Sequence, residues 1–190
     1  AQFIVEKLRR SLAHQQAPFP SDSKKSRGAV AVLLKREADD LWLLMIRRHE
    51  NPQDSWSGQM AFPGGHAEPQ DGSLFDTVAR EAMEEAGIDV YKQTFLGCLR
   101  NIEPKNAPMI VAPYIFLVGE EVHPRTSPEA REIVWIPISF LRNAKNVSSM
   151  MIQIGDRKTP MGCYNYSNHT IWGMSFRIIR EIVSKMAAGQ

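Results

Sequence analysis

A segment that places three carboxylates on a predicted helix, shortly after a pair of glycines, constrains this chain more than any other feature. The segment GGHAEPQDGSLFDTVAREAMEEAGI covers residues 64–88 and contains Glu81, Glu84 and Glu85. Spacings of three and four residues bring side chains to neighbouring positions on a helix surface. Carboxylates at such short separations repel one another at neutral pH, so the fold has to solvate them or supply positive charge.

Capping residues define the helix that carries these glutamates. Ser73 is a favoured N-cap, and Asp76 three residues later resembles a capping box. Gly87 suits the position just after the last helical residue. The sequence therefore predicts a helix over residues 73–86, with apolar side chains on one face and the glutamates on the other. The apolar set is Phe75, Ala79, Ala82 and Ala86.

The glutamates allow two interpretations. A solvated charged face is the common outcome, because glutamate is a strong helix former that is mostly exposed. A binding site for Mg²⁺ or Mn²⁺ is the alternative, because these cations accept carboxylate oxygens and would turn the mutual repulsion into attraction. The helix by itself leaves both interpretations open.

Hydrophobic periodicity predicts further elements along the chain. The polar, Pro- and Gly-rich stretch at 49–72 predicts a long loop, which inside a compact domain is usually functional. Strands flanked by helices predict an α/β or α+β sandwich. The expected strands are 29–36, 41–48, a short one in QMAF, 93–101, 109–118 and 132–136, and the expected helices are 2–14, a short helix or turn at 137–144, and 169–187.

Length and composition narrow the class of protein. A chain of 190 residues fits one domain, and we expect an N-terminal helix and linker over 1–28 before the main domain over 29–190. The net charge of +2 gives no support for a broad nucleic-acid or membrane-binding surface. The most apolar run, APMIVAPYIFLV, is too short to span a bilayer. Two cysteines far apart in sequence do not predict a disulfide framework.

The start of the chain bears on the cellular compartment. The amphipathic, charged start of the chain does not resemble a secretory signal, so the cytoplasm is the default expectation. The chain begins without Met, which leaves an organellar import signal open. The oligomeric state is not specified either, and a homodimer remains open.

The glycine loop and the helix together resemble the Nudix box. That motif consists of Gly, five residues, Glu, seven residues, and then Arg-Glu-aliphatic-any-Glu-Glu-any-Gly-aliphatic. Here FPGG supplies the glycines, Gly65 begins the motif, and REAMEEAGI over residues 80–88 supplies its second half. The distance from Gly65 to Arg80 is one residue longer than usual. The upstream Glu has two candidate counterparts, Glu68 and Asp71, of which Asp71 is nearer the expected place.

The longer loop resembles the coenzyme A pyrophosphatase-like branch of the Nudix family. Segments 43–65, 129–141 and 169–179 are also similar to that branch. The match upstream of the box is incomplete, because Met45 stands where Thr is usual and the NPQDSW stretch replaces the second Arg. This departure weakens the substrate assignment and leaves the family assignment intact.

The resemblance implies an α/β/α sandwich with a mixed central sheet and a metal-dependent pyrophosphohydrolase. The implied substrate is a nucleoside diphosphate linked to another moiety. Coenzyme A or a derivative is the first choice, giving adenosine 3′,5′-bisphosphate and 4′-phosphopantetheine. ADP-ribose or a dinucleotide is the alternative. The implied cofactor is Mg²⁺ or Mn²⁺, and the implied partner is a small nucleotide, with nucleic acid and membrane not expected.

The resemblance also implies roles for individual residues. Glu81 and Glu85 are the first expected metal ligands, Glu84 is a third ligand or a partner in the water network, and the Gly65 carbonyl is a further ligand. Arg80 would orient Glu81, which is also the first choice for the general base. Four later glutamates are further candidates for the base, although each is more typical of a surface residue: Glu120, Glu121, Glu129 and Glu132.

Substrate contacts are expected from residues around the glycines. Arg47 or Arg48 would contact phosphate, Gly64 would allow close backbone approach, and His66 would approach the substrate. Phe62 would stack on an adenine, as Trp56 would, although a loop aromatic is more often a packing anchor.

Three other classes of function compete with this one. An isopentenyl diphosphate isomerase shares the fold but needs a catalytic Cys and a different metal site. A non-catalytic binding module usually loses box glutamates, whereas this chain keeps all three. An enzyme that processes RNA 5′ ends would favour a basic groove.

Overall fold

The computed structural model describes residues 1–14, 24–50, 58–105 and 107–187. Four α-helices, two short 3-10 helices (Val90–Lys92 and Ala144–Asn146) and ten strands are defined in these ranges. In chain order the α-helices and strands are α1 (Gln2–Ser11), β1 (Ser26–Glu37), β2 (Asp40–Arg48), β3 (Met60–Ala61), β4 (Gly64–His66), α2 (Leu74–Ala86), β5 (Thr94–Cys98), β6 (Met109–Val118), β7 (Ala130–Pro137), α3 (Ile138–Arg142), β8 (Val147–Ile154), β9 (Arg157–Tyr166), β10 (His169–Trp172) and α4 (Gly173–Ala187).

A mixed sheet of seven strands forms the centre of the molecule. Strand β1 pairs in parallel with β6 along one side, from Ser26 to Lys35. Its other side is divided, because β4 pairs with residues 28–30 and β2 pairs with residues 34–37, both antiparallel. Strand β2 also pairs with β3 and β7, and β5 pairs with β6. The divided edge of β1 gives β4 its place in the sheet.

Helices cover both faces of this sheet, because successive side chains of a strand point to opposite faces. On β1, Ala31 and Leu33 pack with Val78 and Ala82 of α2. Val32 belongs to the opposite core, which includes apolar residues of α1 and α4. The architecture is therefore an α/β/α sandwich with a mixed central sheet, as the family resemblance implied.

A second, smaller sheet packs with α4 on one side of the central sheet. Strands β8, β9 and β10 form two successive antiparallel hairpins. Gly155 lies in the first turn and has φ +57°, a conformation that glycine adopts without steric cost. Sequence periodicity did not reveal this sheet. Most β8 side chains are exposed, so they show no alternation of apolar and polar residues.

Several predicted boundaries change in the structure. The helix expected over 169–187 begins only at Gly173, because residues 169–172 pair with β9 as strand β10. The helix expected over 2–14 ends at Ser11, and the strand expected over 93–101 ends at Cys98. Tertiary strand pairing overrides local helical periodicity in the first case.

Helix α1 contributes to the main core. Its buried residues Val5 and Leu8, together with Leu12 just after it, belong to the same apolar cluster as the buried side chains of α4. Among the described residues, no helix is long and apolar enough to cross a membrane.

The packing of α1 leads to a stability prediction. Leu8 is fully buried, so we expect Leu8→Ala to lower the free energy of unfolding by about 2–5 kcal/mol through lost burial and a cavity. Phe3 in the same helix is 77% exposed, and Phe3→Ala should change it by less than about 0.5 kcal/mol. Urea unfolding followed by circular dichroism measures both. Equal effects of the two substitutions would contradict the packing of α1 described here.

Candidate active site

Helix α2 begins and ends where the sequence predicts. The Ser73 side chain accepts a hydrogen bond from the Asp76 amide, and Gly87 adopts the left-handed conformation with φ +67°. Of the two interpretations left open for the glutamates, a solvated face describes only Glu84. Glu85 is 1% exposed and Glu81 is 8% exposed, because both face the cavity beside β4. Only Glu84 projects outward, with its side chain 53% exposed.

The glycines of β4 allow the two buried glutamates to approach the sheet. The Gly64 amide donates a hydrogen bond to Glu85 Oε1 at 3.3 Å. A Cβ atom on Gly65 would lie 2.3 Å from Glu81 Oε1, so any larger residue would displace that carboxylate. The close contact between β4 and α2 therefore requires glycine at this position.

Strand register determines where the glycine carbonyls point. The Ala31 amide donates to the Pro63 carbonyl at 2.7 Å, and the Ala67 amide donates to the Arg27 carbonyl at 2.8 Å. Backbone groups alternate between facing toward and away from the partner strand in an antiparallel pair. Gly65 therefore faces β1 through its backbone groups, and Gly64 directs its carbonyl away from β1. The register favours the Gly64 carbonyl over the predicted Gly65 carbonyl as a backbone ligand.

Arg80 joins the carboxylates of the loop and the helix. Its guanidinium donates to both Asp71 oxygens, at 3.1 and 3.0 Å, and to Glu81 Oε1 at 2.9 Å. It also donates to Glu84 Oε2 at 3.4 Å and to the His66 carbonyl at 3.0 Å. The bidentate contact with Asp71 fixes the guanidinium, and the charge-assisted hydrogen bond from Nη1 holds Glu81 in one orientation. The contact that the sequence predicted between Arg80 and Glu81 is present.

Of Glu68 and Asp71, the two candidates for the upstream acid of the box, Asp71 makes the closer contacts with Arg80. Its side chain is 5% exposed and accepts further hydrogen bonds from Thr77 Oγ1 at 2.8 Å and the Glu68 amide at 2.9 Å. Glu68 approaches Arg80 only at 3.5 Å, and its side chain is about half exposed. The Arg80 guanidinium holds the pKa of Asp71 well below its usual range, so Asp71 stays ionised.

Glu85 is the carboxyl whose protonation is most strongly altered. Burial raises its pKa to about 8, which the charge of Arg48 and the Gly64 amide oppose only in part. Its Oε2 atom is buried and has no hydrogen-bond partner. A buried carboxylate oxygen without a partner is costly unless a proton or a cation satisfies it. This atom is therefore the strongest indication of a cation site.

The carboxyl groups alone do not complete a metal site. Within the described ranges, no group of three or more His, Cys, Asp or Glu residues is close enough to hold a metal ion. Mg²⁺ usually binds through one or two carboxylates and completes its shell with water and substrate phosphates. Glu81, Glu85 and a carbonyl of the glycine pair fit that requirement.

A cavity of about 730 Å³ opens beside these residues. It is lined by most of the predicted site residues, namely Arg48, Phe62, Gly64, Gly65, His66, Glu81 and Glu85. Arg47, Arg80 and Glu84 do not line it, and Arg47 instead pairs with Glu50 at 3.1 Å. Phe62 is largely buried beneath the cavity. Trp56 lies outside the described residues.

The four later glutamates proposed as candidates for the base lie in different places in the structure. Glu129 lines the cavity, whereas Glu132 contacts His169 at 3.2 Å between Oε1 and Nε2. Glu120 and Glu121 are exposed beyond the end of β6. Of the four candidates for a base on a later segment, Glu129 is the one placed beside the site.

Several cavity residues were not found from the sequence. They include Lys105 and Arg177 and the apolar residues of β8, β9 and the start of α4. Arg177 lies on a predicted helix, where its side chain donates to the Glu103 carbonyl at 2.7 Å, a contact between distant segments that no local pattern indicates. The buried thiols of Cys98 and Cys163 do not line the cavity, and burial raises the pKa of Cys98 to about 11.

Comparison with known proteins places this chain in a family. The profile of the NUDIX domain matches residues 25–152. The chain belongs to the Nudix hydrolase family. Enzymes of this family are pyrophosphatases that act on phosphoric anhydrides of small nucleotides and generally use divalent cations.

Two curated relatives are similar over most of their length. A protein from Photorhabdus laumondii, called Uncharacterized Nudix hydrolase NudL, is 28% identical over 90% of this chain and 92% of its own. A protein of the same name from Yersinia pestis is 30% identical over 82% of this chain and 72% of its own. The branch of coenzyme A pyrophosphatases is not identified by these names.

Solved structures support the fold. A MutT/nudix family protein from Enterococcus faecalis is 21% identical, with a TM-score of 0.57 over 88% of this chain and 63% of its own. An Ap4A hydrolase from C. elegans is 20% identical, with a TM-score of 0.50 over 60% of this chain and 81% of its own. The NUDIX domain of Shewanella oneidensis NrtR, solved with ADP ribose, is 19% identical, with a TM-score of 0.50 over 64% of this chain and 79% of its own.

The pKa of Glu85 leads to a prediction about stability and pH. Its native-state pKa of about 8 lies above its ordinary value of 4.5, so the native protein holds one more proton than the unfolded chain between these values. The contribution of Glu85 to the free energy of unfolding therefore falls as pH rises from 4.5 to 8, by at most about 1.4 kcal/mol per pH unit.

Urea unfolding in EDTA at several pH values tests this. Glu85→Gln removes the titration and keeps the shape of the protonated side chain. We expect the variant to gain stability relative to the wild-type protein as pH rises. A stability difference between the two proteins that stays constant with pH would show that Glu85 titrates normally.

Proposed function

We propose that this Nudix hydrolase is a metal-dependent pyrophosphohydrolase that uses Glu81 and Glu85 to hold a divalent cation, Mg²⁺ or Mn²⁺. The single observation that carries the proposal is the pair of buried carboxylates beside the glycines of β4, with Glu85 Oε2 lacking any partner. A solvated helix face would not bury two glutamates against a strand. The cation site explains why this fold accepts that cost.

The residues around the cation have distinct tasks. Glu81 and Glu85 supply carboxylate oxygens, and the glycine pair supplies a carbonyl. A divalent cation bound there would neutralise diphosphate oxygens and lower the pKa of a water molecule. Arg80 fixes the orientation of Glu81, and Asp71 in turn fixes Arg80 through two hydrogen bonds.

Proton transfer from the attacking water needs a base beside the diphosphate. Glu81 is our first choice, because it faces the cavity and its orientation is held by Arg80. Glu129 lines the same cavity on a later segment and is the alternative. Glu84 is exposed and contacts Arg80, so we assign it to the water network at the edge of the site.

Positive charge and shape would position the substrate. Arg48 and His66 line the cavity near the carboxylates, where they can contact phosphate oxygens. Arg47 is directed to Glu50, so we prefer Arg48 for this role. Coenzyme A or a derivative is our first substrate, on the sequence resemblance. ADP-ribose and dinucleotides are the alternatives. The NrtR domain of similar fold was solved with ADP ribose, and the C. elegans protein of similar fold is an Ap4A hydrolase.

Hydrolysis assays with substitutions in α2 test the proposed site. We expect Glu81→Gln and Glu85→Gln each to lower kcat by about 100-fold or more, the scale typical of lost acid–base catalysis. Glu84→Gln in the same helix should lower it by less than about tenfold, because its side chain is 53% exposed. Glu120→Gln, at an exposed position outside the cavity, is the matched control.

The assay compares coenzyme A, acetyl-coenzyme A, ADP-ribose, NADH and diadenosine polyphosphates by kcat/KM, with Mg²⁺, Mn²⁺ or EDTA. Preference for coenzyme A, lost in Glu85→Gln, would support site and substrate together. Preference for another nucleotide would retain the site and reject coenzyme A. Binding without turnover under every condition would favour a non-catalytic nucleotide-binding module.

The two glycines of β4 lead to a paired prediction. Gly65→Ala places a Cβ against the flexible end of Glu81, so we expect kcat to fall by about tenfold or more while the thermal midpoint changes little. Gly64→Ala places its Cβ 2.4 Å from the Ala29 carbonyl oxygen, a backbone atom, and should lower the thermal midpoint. Calorimetry and the hydrolysis assay measure both variants. Loss of stability in Gly65→Ala alone would reverse this assignment.

A further inference from the structure

The small sheet has one long edge that no other described strand covers. Strand β8 pairs with β9 along its whole length, and within the described part of the chain it pairs with no strand on its other side. The register runs from Val147 opposite Tyr164 to Ile154 opposite Arg157 without a bulge. An edge of this kind presents a row of amides and carbonyls that can pair with another strand.

The turn of the hairpin identifies which backbone groups of β8 face outward. Gly155 and Asp156 form a two-residue turn between Ile154 and Arg157, and Gly155 has φ +57°. Such a turn is flanked by a residue pair that exchanges backbone hydrogen bonds. Because hydrogen-bonded and non-hydrogen-bonded pairs alternate along an antiparallel ladder, the even-numbered residues of β8 bond to β9. The outward-facing amides and carbonyls belong to Val147, Ser149, Met151 and Gln153.

The other edges of the described sheets are protected against strand pairing, as edges usually are. The chain after α1 covers the end of β5, because Cys98 exchanges backbone hydrogen bonds with Ala13. Strand β7 carries Arg131 and Glu132 and has an irregular register with β2. Strands β3 and β10 have two and four residues. Strand β8, with the sequence VSSMMIQI, is long, regular and uncharged.

A second copy of the same chain is the occupant that this edge fits. In a two-fold symmetric pair of identical strands, a charged residue near the centre meets a like charge, which is destabilising. Strand β8 contains no charged side chain, whereas its neighbour β9 begins with Arg157 and Lys158. Pairing centred on Met150 uses all four outward-facing residues. That register sets Val147 opposite Gln153 and Ser149 opposite Met151.

From these features we propose that β8 pairs antiparallel with β8 of a second copy, in a register centred on Met150. Two small sheets then form one sheet of six strands. Each copy contributes the same edge, so the assembly closes at the dimer. The eight paired residues span about 27 Å, which makes a small interface, and the dimer should therefore dissociate reversibly.

This dimer would reach the rim of the candidate active site. Ile152 and Ile154 of β8 line the cavity that contains the buried carboxylates. In the register centred on Met150, Ile152 lies opposite Ser148 of the second copy. The second copy therefore borders the cavity at the hairpin. The inference is independent of the proposed hydrolase activity, because it concerns the backbone edge of β8.

Sedimentation equilibrium on the full chain measures the assembly. We expect the mass to rise reversibly from 21.5 kDa toward twice that value as the protein concentration increases to about 100 µM. Met151→Pro removes an outward-facing amide and leaves the hydrogen bonds to β9 in place, so it should keep the chain monomeric. Met151→Ala retains the amide and is the matched control, which should still dimerise.

Cysteine substitutions test the register. Met150 would lie opposite itself in a non-hydrogen-bonded pair, where the Cα atoms are about 4.5 Å apart and a disulfide can form. Met150→Cys should therefore give a covalent dimer on mild oxidation, seen on a non-reducing gel. Ser148→Cys should not, because its two copies would be more than about 13 Å apart. The native thiols of Cys98 and Cys163 are buried.

Three outcomes would overturn the inference. The first is a wild-type chain that remains at 21.5 kDa at every concentration. The second is a dimer that persists in Met151→Pro and in Ser149→Pro, which serves also if Met151→Pro does not fold by circular dichroism. The third is covalent linkage through Ser148→Cys and not through Met150→Cys. Hydrolysis enters none of these measurements, so failure of the proposed function would leave their result unchanged.

Discussion

The antiparallel pairing of β4 with the first part of β1 holds a pair of glycines directly against helix α2. Because these residues have no side chains, α2 lies close enough for Glu85 to accept a hydrogen bond from the Gly64 amide and for Glu81 to occupy the space beside Gly65. Alanines on both sides of the interface, such as Ala31 of β1 and Ala82 of α2, allow the same close approach further along. The position of every candidate ligand depends on this contact.

Burying two carboxylates opposes folding, and the surrounding structure compensates for only one of them. Arg80 neutralises Glu81 and is itself held by Asp71, which stays ionised because of that pairing. Glu85 has a raised pKa and one oxygen without a partner. Structural stability alone would not retain such a group. Burying a carboxyl with an unpartnered oxygen lowers stability, which is typical of residues retained at functional sites.

The cavity beside the box residues is lined in part by segments outside the central sheet. The box and the central sheet are common to the family that the chain belongs to. The hairpin of β8 and β9 and the start of α4 surround the adjoining space with flexible apolar side chains.

The sequence by itself determined the features that depend on neighbouring residues. Capping by Ser73 and Gly87, the period of the buried strands and the order of the box residues act over a few positions. The sequence therefore predicted α2 and the longer central strands, with strand ends shifted by up to three residues, but not β4. Only the tertiary structure decided which glutamates are buried, that Asp71 rather than Glu68 accepts two hydrogen bonds from Arg80, and that an unpredicted sheet completes the cavity. Those outcomes depend on contacts between segments that are distant in sequence, and local residue patterns do not specify such contacts.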